Sequence, residues 1–296
     1  MKDRLILGII GNTGPEADEV LQALIRLECA KRGASKDQDF LPTIVVKNPN
    51  IADRTLAIFE GETSPSLGVI ESSEILLRNG CYFAALPSNT THYFYEEYQS
   101  KTDLYIFDII KLTIEDIKKS GTRKVGLLAT TPTVETRIFE DRLAKEGIEV
   151  VTPDAETQEK NIQAAIYGTA TPGGNHKQRL PDGLKAGNQA LGLERVSKAV
   201  SKLAAEHGVE VFILGCTEIS IISESLGIRH ADIRFVDPMK LLATECVDFY
   251  TDVKNEIESI KNPITDPKIR ITGISREEAI QYVAKKHMHN NIIIFH

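Results

Sequence analysis

Two apolar runs far apart in the chain end in the same way, and that coincidence restricts the fold more than any other feature. Val209 to Leu214 closes on Gly215-Cys216-Thr217-Glu218, and Tyr82 to Leu86 closes on Pro87-Ser88-Asn89-Thr90. A short β-type run followed by small polar residues reads as a parallel strand covered on both faces. Its end opens on a cleft where backbone N–H groups and a helix start are free to hold an anion. Two further stretches, Gly8-Ile9-Ile10-Gly11-Asn12-Thr13-Gly14-Pro15 and Gly126-Leu127-Leu128-Ala129-Thr130-Thr131-Pro132-Thr133, repeat the order of strand, small polar loop and helix. The spacing of the four runs predicts an α/β chain in two halves of like plan, facing each other across one site.

The length of 296 residues allows both halves a core of their own. A net charge of −7 argues against binding a nucleic-acid backbone. Cys29, Cys81, Cys216 and Cys246 show neither CxxC pairing nor a His partner at zinc spacing, so no disulfide framework and no metal site is expected, and the expected compartment is the cytoplasm. The apolar start, Leu5 to Ile10, is too short for a signal peptide or a membrane span.

Along the chain the patterns predict helices over 16–31, 66–79, 91–99, 113–119, 134–146, 158–167, 192–207, 219–225 and 238–260. Strands are predicted over 5–10, 43–47, 82–86, 125–129, 149–151, 209–214 and 234–236. Residues 168–189, rich in Gly, Pro, Asn and Lys, break the pattern as a functional lid or a solvated loop, and Lys177, Arg179 and Lys185 are its charges. Residues 262–296 read as a strand, a capped helix and a strand, an appendix too small for its own core. The expected division is 1–118 with 238–261 as the first α/β domain, 119–237 as the second, and 262–296 as the appendix.

A thiol and a hydroxyl at matching strand ends suit a reaction approached from opposite faces of one carbon, as proton transfer at a stereocentre requires. Cys216, next to a helix start, is expected to have a lowered pKa and to act as the base. Asn89, Thr90 and Thr217 are then placed to hold a carboxylate and to stabilise charge as the carbon becomes planar. Arg54, in NPNIADRT, offers a forked clamp for a carboxylate, against the plainer alternative of a solvated pair with Asp53. His92 lies four residues after Ser88, but without a GxSxG elbow and with a helical spacing that runs the imidazole along the helix, a hydrolase triad is not expected.

Taken in order, GIIGNTGP, NPNIADRT, LPSNTTH, LLATTPTVE with GIEVVTPD downstream, LGCTEI and FVDP resemble the cofactor-independent aspartate/glutamate racemase family, in its aspartate racemase branch, over about Leu5 to Tyr250. The resemblance implies two pseudo-symmetric Rossmann-like α/β domains with parallel-type sheets and the site in the interdomain cleft. It implies neither pyridoxal phosphate nor metal, and an acidic amino acid, aspartate or glutamate, as the small-molecule substrate; a homodimer is expected, with the apolar run Ile292-Ile293-Ile294 of the appendix as its contact. On it Cys216 takes the place of the second catalytic cysteine, Ser88 that of the first, and Arg54 that of a substrate-binding arginine. Asn12, Thr13, Asn89, Thr90, Thr131, Thr133 and Thr217 fall on substrate-holding positions. Serine where the family usually has cysteine implies an enzyme that is one-sided or impaired. The alternatives are a decarboxylase or isomerase of the same superfamily, or an amino-acid-binding protein without turnover.

Overall fold

A computed structural model describes residues 5–14, 16–171 and 178–260. The predicted piece at 262–296, together with Pro15 and Lys177, lies outside the described residues. The first half runs β1 (Leu7–Gly11), α1 (Ala17–Lys31), β2 (Thr43–Lys47), α2 (Arg54–Phe59), α3 (Ser66–Arg78), β3 (Phe83–Ala85), α4 (Tyr95–Gln99), β4 (Tyr105–Ile106) and α5 (Ile109–Ser120). The second runs β5 (Lys124–Leu128), α6 (Thr131–Glu135), α7 (Glu140–Ala144), β6 (Glu149–Val151), α8 (Ala155–Thr157), α9 (Ala164–Tyr167), α10 (Gln189–His207), β7 (Val211–Leu214), α11 (Thr217–Ser220), α12 (Ser223–Arg229) and β8 (Arg234–Val236), and α13 (Pro238–Ile260) closes the described chain.

Each half holds a four-stranded sheet, and the two have the same strand order, β2-β1-β3-β4 and β6-β5-β7-β8, with every pairing parallel. In this order the chain leaves the first strand to one side and returns to add the third on the other. The loops after those two strands therefore part, and a crevice opens at the carboxyl ends. The loops concerned are the four picked out by the sequence: Asn12–Gly14, Pro87–Asn89, Ala129–Thr130 and Gly215–Cys216.

Burial explains why these segments take these forms. β1 is buried along its whole length, as a central parallel strand must be. In α5 the Asp108 carboxylate caps the first turn, accepting from Ile110 N and Lys111 N at 2.9 and 3.0 Å, and Gly121 ends the helix in the left-handed region at φ 73°. Between those signals Ile109, Ile110, Ile114 and Ile117 make one buried stripe. One cluster joins the halves: Leu7, Ile9, Phe83 and Phe107 from the first, Leu127, Phe139 and Ile213 from the second, and Met239, Leu242 and Phe249 from α13. α13 returns from the second sheet to pack on α1 and α5, where the Phe249 ring lies 4.9 Å from that of Phe83. Each such side chain contributes roughly 1.5–3 kcal/mol on full burial.

Three expectations are corrected. The helix predicted over 134–146 is two short ones, because Arg137 takes φ 54° and the break turns Ile138 and Phe139 into the shared core. α5 begins at Ile109 rather than Thr113, since the cap at Asp108 includes an apolar turn. β4, two residues long, has no counterpart in the sequence reading. Residues 168–189 are a built arm where they are described: Ala170 and Arg179 pair as an antiparallel bridge, and Leu184–Ala186 is a 3-10 turn with Leu184 buried. Among the described residues no helix is long and apolar enough to cross a membrane.

Candidate active site

The crevice between the halves holds a pocket of about 110 Å³, small beside the 300–1,000 Å³ that enclose drug-sized ligands. Thr13, Asp53, Arg54, Thr55, Ser88, Asn89 and Thr90 line it from the first half, and Thr130, Tyr167, Lys185, Gly215, Cys216, Thr217 and Glu218 from the second. Seven of the ten residues singled out in the sequence meet there: Thr13, Arg54, Ser88, Asn89, Thr90, Cys216 and Thr217.

Ser88 follows β3 and is 6% exposed. Its Oγ lies 2.7 Å from Thr91 Oγ1 and accepts from Thr91 N at 3.3 Å. His92 does not activate it. The imidazole is buried, with Nδ1 2.7 Å from the Ser88 carbonyl and Nε2 3.1 Å from the Phe107 carbonyl, and it stacks on Tyr95. Burial lowers its pKa below the ordinary histidine value, against the opposing pull of Asp108 and the two carbonyls. Beside Ser88, both the Nδ2 and Oδ1 of Asn89 are buried with no hydrogen-bond partner. A polar pair in that condition costs free energy unless a ligand completes it.

Cys216 caps α11 with extended backbone, φ −132° and ψ 132°. Its Sγ donates to Glu218 Oε2 at 2.9 Å, and Thr217 Oγ1 donates to the same oxygen at 3.1 Å. The other oxygen, Oε1, is 2.7 Å from Lys185 Nζ, which lies 5.1 Å from the centre of the Tyr167 ring. Burial pushes the thiol well above its usual range and the Glu218 charge pushes it further, while Lys185 opposes. Burial would raise Glu218 too, but Lys185 and the thiol hydrogen bond outweigh it and hold the carboxyl below its ordinary value. The lowered thiol pKa expected from a helix start is thus reversed, because the thiol is buried, its partner two residues on is an anion, and α11 is a single four-residue turn.

The arm that delivers Lys185 is clasped at its base. Thr169 N and Oγ1 donate to Asp182 Oδ1 and Oδ2, both at 2.7 Å, and Arg195 NH2 donates to Asp182 Oδ2 at 2.9 Å. Gly168 takes φ 103°, and a Cβ there would stand 1.8 Å from the Leu180 carbonyl oxygen, so only glycine fits. On the opposite wall Arg54 donates to the Thr13 carbonyl at 2.9 Å and to that of Ala52 at 3.2 Å. Its guanidinium is fixed in place and retains further N–H donors. Asp53, the alternative partner, caps α2 by accepting from Leu56 N at 3.0 Å.

Three of the singled-out residues lie off the pocket wall. Asn12, at φ 63°, turns its amide to the Asn48 carbonyl at 3.2 Å. Thr131 faces Gln163 and Gln158, each at 3.4 Å. Thr133 is fully buried behind Thr90, with the two hydroxyls 2.7 Å apart. Glu218, inside LGCTEI, and Lys185, one of several charges in a glycine-rich segment, also line the pocket, and no local pattern marks either of them.

Residues 15–246 match the Asp/Glu/hydantoin racemase family. The chain belongs to that family. It is 27% identical over 249 residues to the broad specificity amino-acid racemase RacX of Bacillus subtilis, covering 83% of this chain and 98% of that one. The solved structure of the Picrophilus torridus aspartate racemase is similar with a TM-score of 0.67 at 26% identity, over 84% of this chain and 95% of that one. Glutamate racemase isoform RacE1 of Bacillus anthracis shares the fold, with a TM-score of 0.56 at 15% identity over 85% and 83% of the two chains. A member of this racemase family is an isomerase, and the two α/β halves of this chain have a fold similar to those two solved structures.

Proposed function

We propose that this racemase-family chain interconverts the enantiomers of an acidic amino acid by moving the α-proton across a planar carbon. The observation that carries the reading is the meeting of Cys216 from one half and Ser88 from the other in one small pocket, which also holds two cations, Arg54 and Lys185. Cys216 serves one face as the proton-transferring group and Ser88 stands at the other. Asn89, Thr90 and Thr217 supply donors for the α-carboxylate, where charge builds up as the carbon flattens. The protein's own groups perform the transfer, with no pyridoxal phosphate and no metal. The substrate is small enough to be enclosed, and its second carboxylate pairs with a cation of the pocket. In this reading 1–118 with 238–261 is the first domain and 119–237 the second, a division supported by the lining of the pocket, from Thr13 to Thr90 on one side and from Thr130 to Glu218 on the other. A homodimer in the cytoplasm completes the reading, and sedimentation of the full chain checks the assembly.

Ser88 biases the reaction. Its hydroxyl is engaged with Thr91, and the neighbouring imidazole is spent on the Ser88 carbonyl, so the Ser88 face has no titratable base close at hand. Exchange is therefore faster from the enantiomer whose α-hydrogen faces Cys216. The test is incubation of the chain with L- and D-aspartate and L- and D-glutamate in D2O, with the α-proton followed by NMR. Loss of the α-proton signal from at least one enantiomer, abolished in Cys216→Ala with circular dichroism unchanged, is the expected result. Exchange that survives Cys216→Ala, or no exchange from any of the four, overturns the reading.

A further inference from the structure

Most backbone groups of the loop after β3 are satisfied within the chain. Ser88 N donates to the Leu86 carbonyl at 2.8 Å, His92 N donates to the Asn89 carbonyl at 3.1 Å, and the Ser88 carbonyl lies 2.7 Å from His92 Nδ1. The Asn89 N–H stands apart, meeting no acceptor among the described residues. Asn89 is 3% exposed and lines the pocket, and both polar atoms of its side chain lack a partner as well. Buried backbone N–H groups in that condition are rare in folded chains. A backbone donor and a side-chain amide left open together at one pocket wall point to a ligand that completes them.

The imidazole of His92 decides where that N–H points. The unit joining Ser88 to Asn89 is planar and trans, so its C=O and N–H point in opposite directions. The His92 ring is buried, stacked on Tyr95 and set edge-on to Tyr98, on the core side of the loop. A Ser88 carbonyl aimed at that ring leaves the Asn89 N–H aimed the other way, toward the pocket that Ser88, Asn89 and Thr90 line. The reverse setting of the same peptide would present a carbonyl oxygen to an incoming carboxylate and repel it. Both ring nitrogens face carbonyl oxygens, Nδ1 that of Ser88 and Nε2 that of Phe107 at 3.1 Å. Burial favours the neutral ring, which has one N–H to give, and the shorter contact places it on Nδ1.

We propose that His92 is a positioning residue: its Nδ1–H holds the Ser88 carbonyl and so turns the Asn89 N–H into the pocket as a donor to the substrate's α-carboxylate. The proposal rests on the racemase reading and adds what orients the donor. His92 touches no substrate, no bond is made or broken at the imidazole, and its work is complete before the amino acid arrives. Negative charge grows on the α-carboxylate as the carbon flattens. A donor fixed in advance therefore serves the planar state more than the bound amino acid.

Substitutions separate the two ring nitrogens. The amide nitrogen of asparagine sits as far along the side chain as Nδ1, and that of glutamine about as far as Nε2. His92→Asn thus keeps the donor to Ser88, His92→Gln moves it toward Phe107, and His92→Leu removes both. For α-proton exchange of aspartate, kcat/KM should fall by about 10²-fold in His92→Leu and His92→Gln, chiefly in kcat, with most of the loss recovered in His92→Asn. A merely structural histidine would instead give losses that follow the melting temperatures of the three variants. NMR reads the donor itself, because Ser88-Asn89 is the only Ser-Asn step in the chain, so carbon-13 on serine carbonyls with nitrogen-15 on asparagine isolates one amide. Added L-aspartate should move that resonance in the unsubstituted full chain and in His92→Asn, and leave it in place in His92→Leu. A resonance that aspartate does not move in the unsubstituted chain, or kinetics in which His92→Gln matches or exceeds His92→Asn, overturns the proposal. Exchange that proceeds with an unmoved resonance leaves the racemase reading standing. A resonance that moves without any exchange counts against the racemase reading alone.

Discussion

The hydroxyls of Thr90 and Thr133 meet at 2.7 Å, one from the turn after β3 and the other from α6, so a hydrogen bond ties the two halves together at the back of the pocket. Thr133 also lies 3.1 Å from Thr130 Oγ1, which lines the opposite wall. Thr133→Val keeps the shape of the side chain and removes this junction. The expected outcome is a loss of about 1 kcal/mol in stability and a rise in KM for the exchanged amino acid with little change in kcat. Thermal melts and exchange kinetics on the same preparation check it. A drop in stability with KM unchanged would make the contact structural only.

If Ser88 biases the exchange as proposed, Ser88→Cys should make it two-sided. The substitution changes volume little, and it places a titratable thiol where a hydroxyl now rests on Thr91. The slower direction is expected to accelerate by about 10²–10⁴-fold, the usual contribution of a matched proton donor. Chiral separation of products from each enantiomer gives the two rates directly, and equal slow rates before and after the change would remove Ser88 from the mechanism.

Gly168→Ala should be costly although Gly168 touches no substrate. Its left-handed backbone and the Leu180 carbonyl oxygen 1.8 Å from a Cβ leave no room, so the base of the arm must shift. A loss of about 1–3 kcal/mol is expected from backbone strain, together with weaker binding of dicarboxylates through displaced Lys185. Thermal melts and succinate titration of the variant measure both. Full stability would show that the arm tolerates another path.

His92 links stability to pH. Burial depresses its folded pKa below the unfolded value of 6.5, so the unfolded chain binds a proton that the folded chain resists. Its contribution is therefore complete above the unfolded value and is lost as pH falls through the folded one. Melting temperatures should decline on acidification below about 6.5, and His92→Gln should flatten the slope. Since His230 shifts in the same direction for the same reason, a His230→Gln control separates the two. An unchanged slope in His92→Gln would overturn the assignment.

What could be read from the residues alone follows from which forces are local. Leu5 to Ile10, Val125 to Ala129 and Val209 to Leu214 announce central strands because burial on both faces excludes polar residues from them, and the shared ending of two strands brought Ser88 and Cys216 to one pocket. Arg179 and Lys185 show the opposite case. Both are cations in one glycine-rich segment, yet Arg179 turns to Glu159 and the Gly168 carbonyl while Lys185 enters the pocket. That choice is made by the Asp182 clasp and the burial of Leu184, which no local pattern encodes. The ionisation of Cys216 is likewise not legible locally, because a helix start is visible in sequence and the depth of the thiol is not.

The helix α13 carries a consequence for the integrity of the particle. It follows the second sheet in the chain but lies against α1 and α5, and its Met239, Leu242 and Phe249 sit in a cluster that also includes Leu127 and Ile213. A polypeptide nicked by protease between Gly121 and Lys124 would thus not fall apart. The two fragments should elute together on gel filtration as a complemented pair, parting only in denaturant, because the last helix of one fragment is stitched into the other.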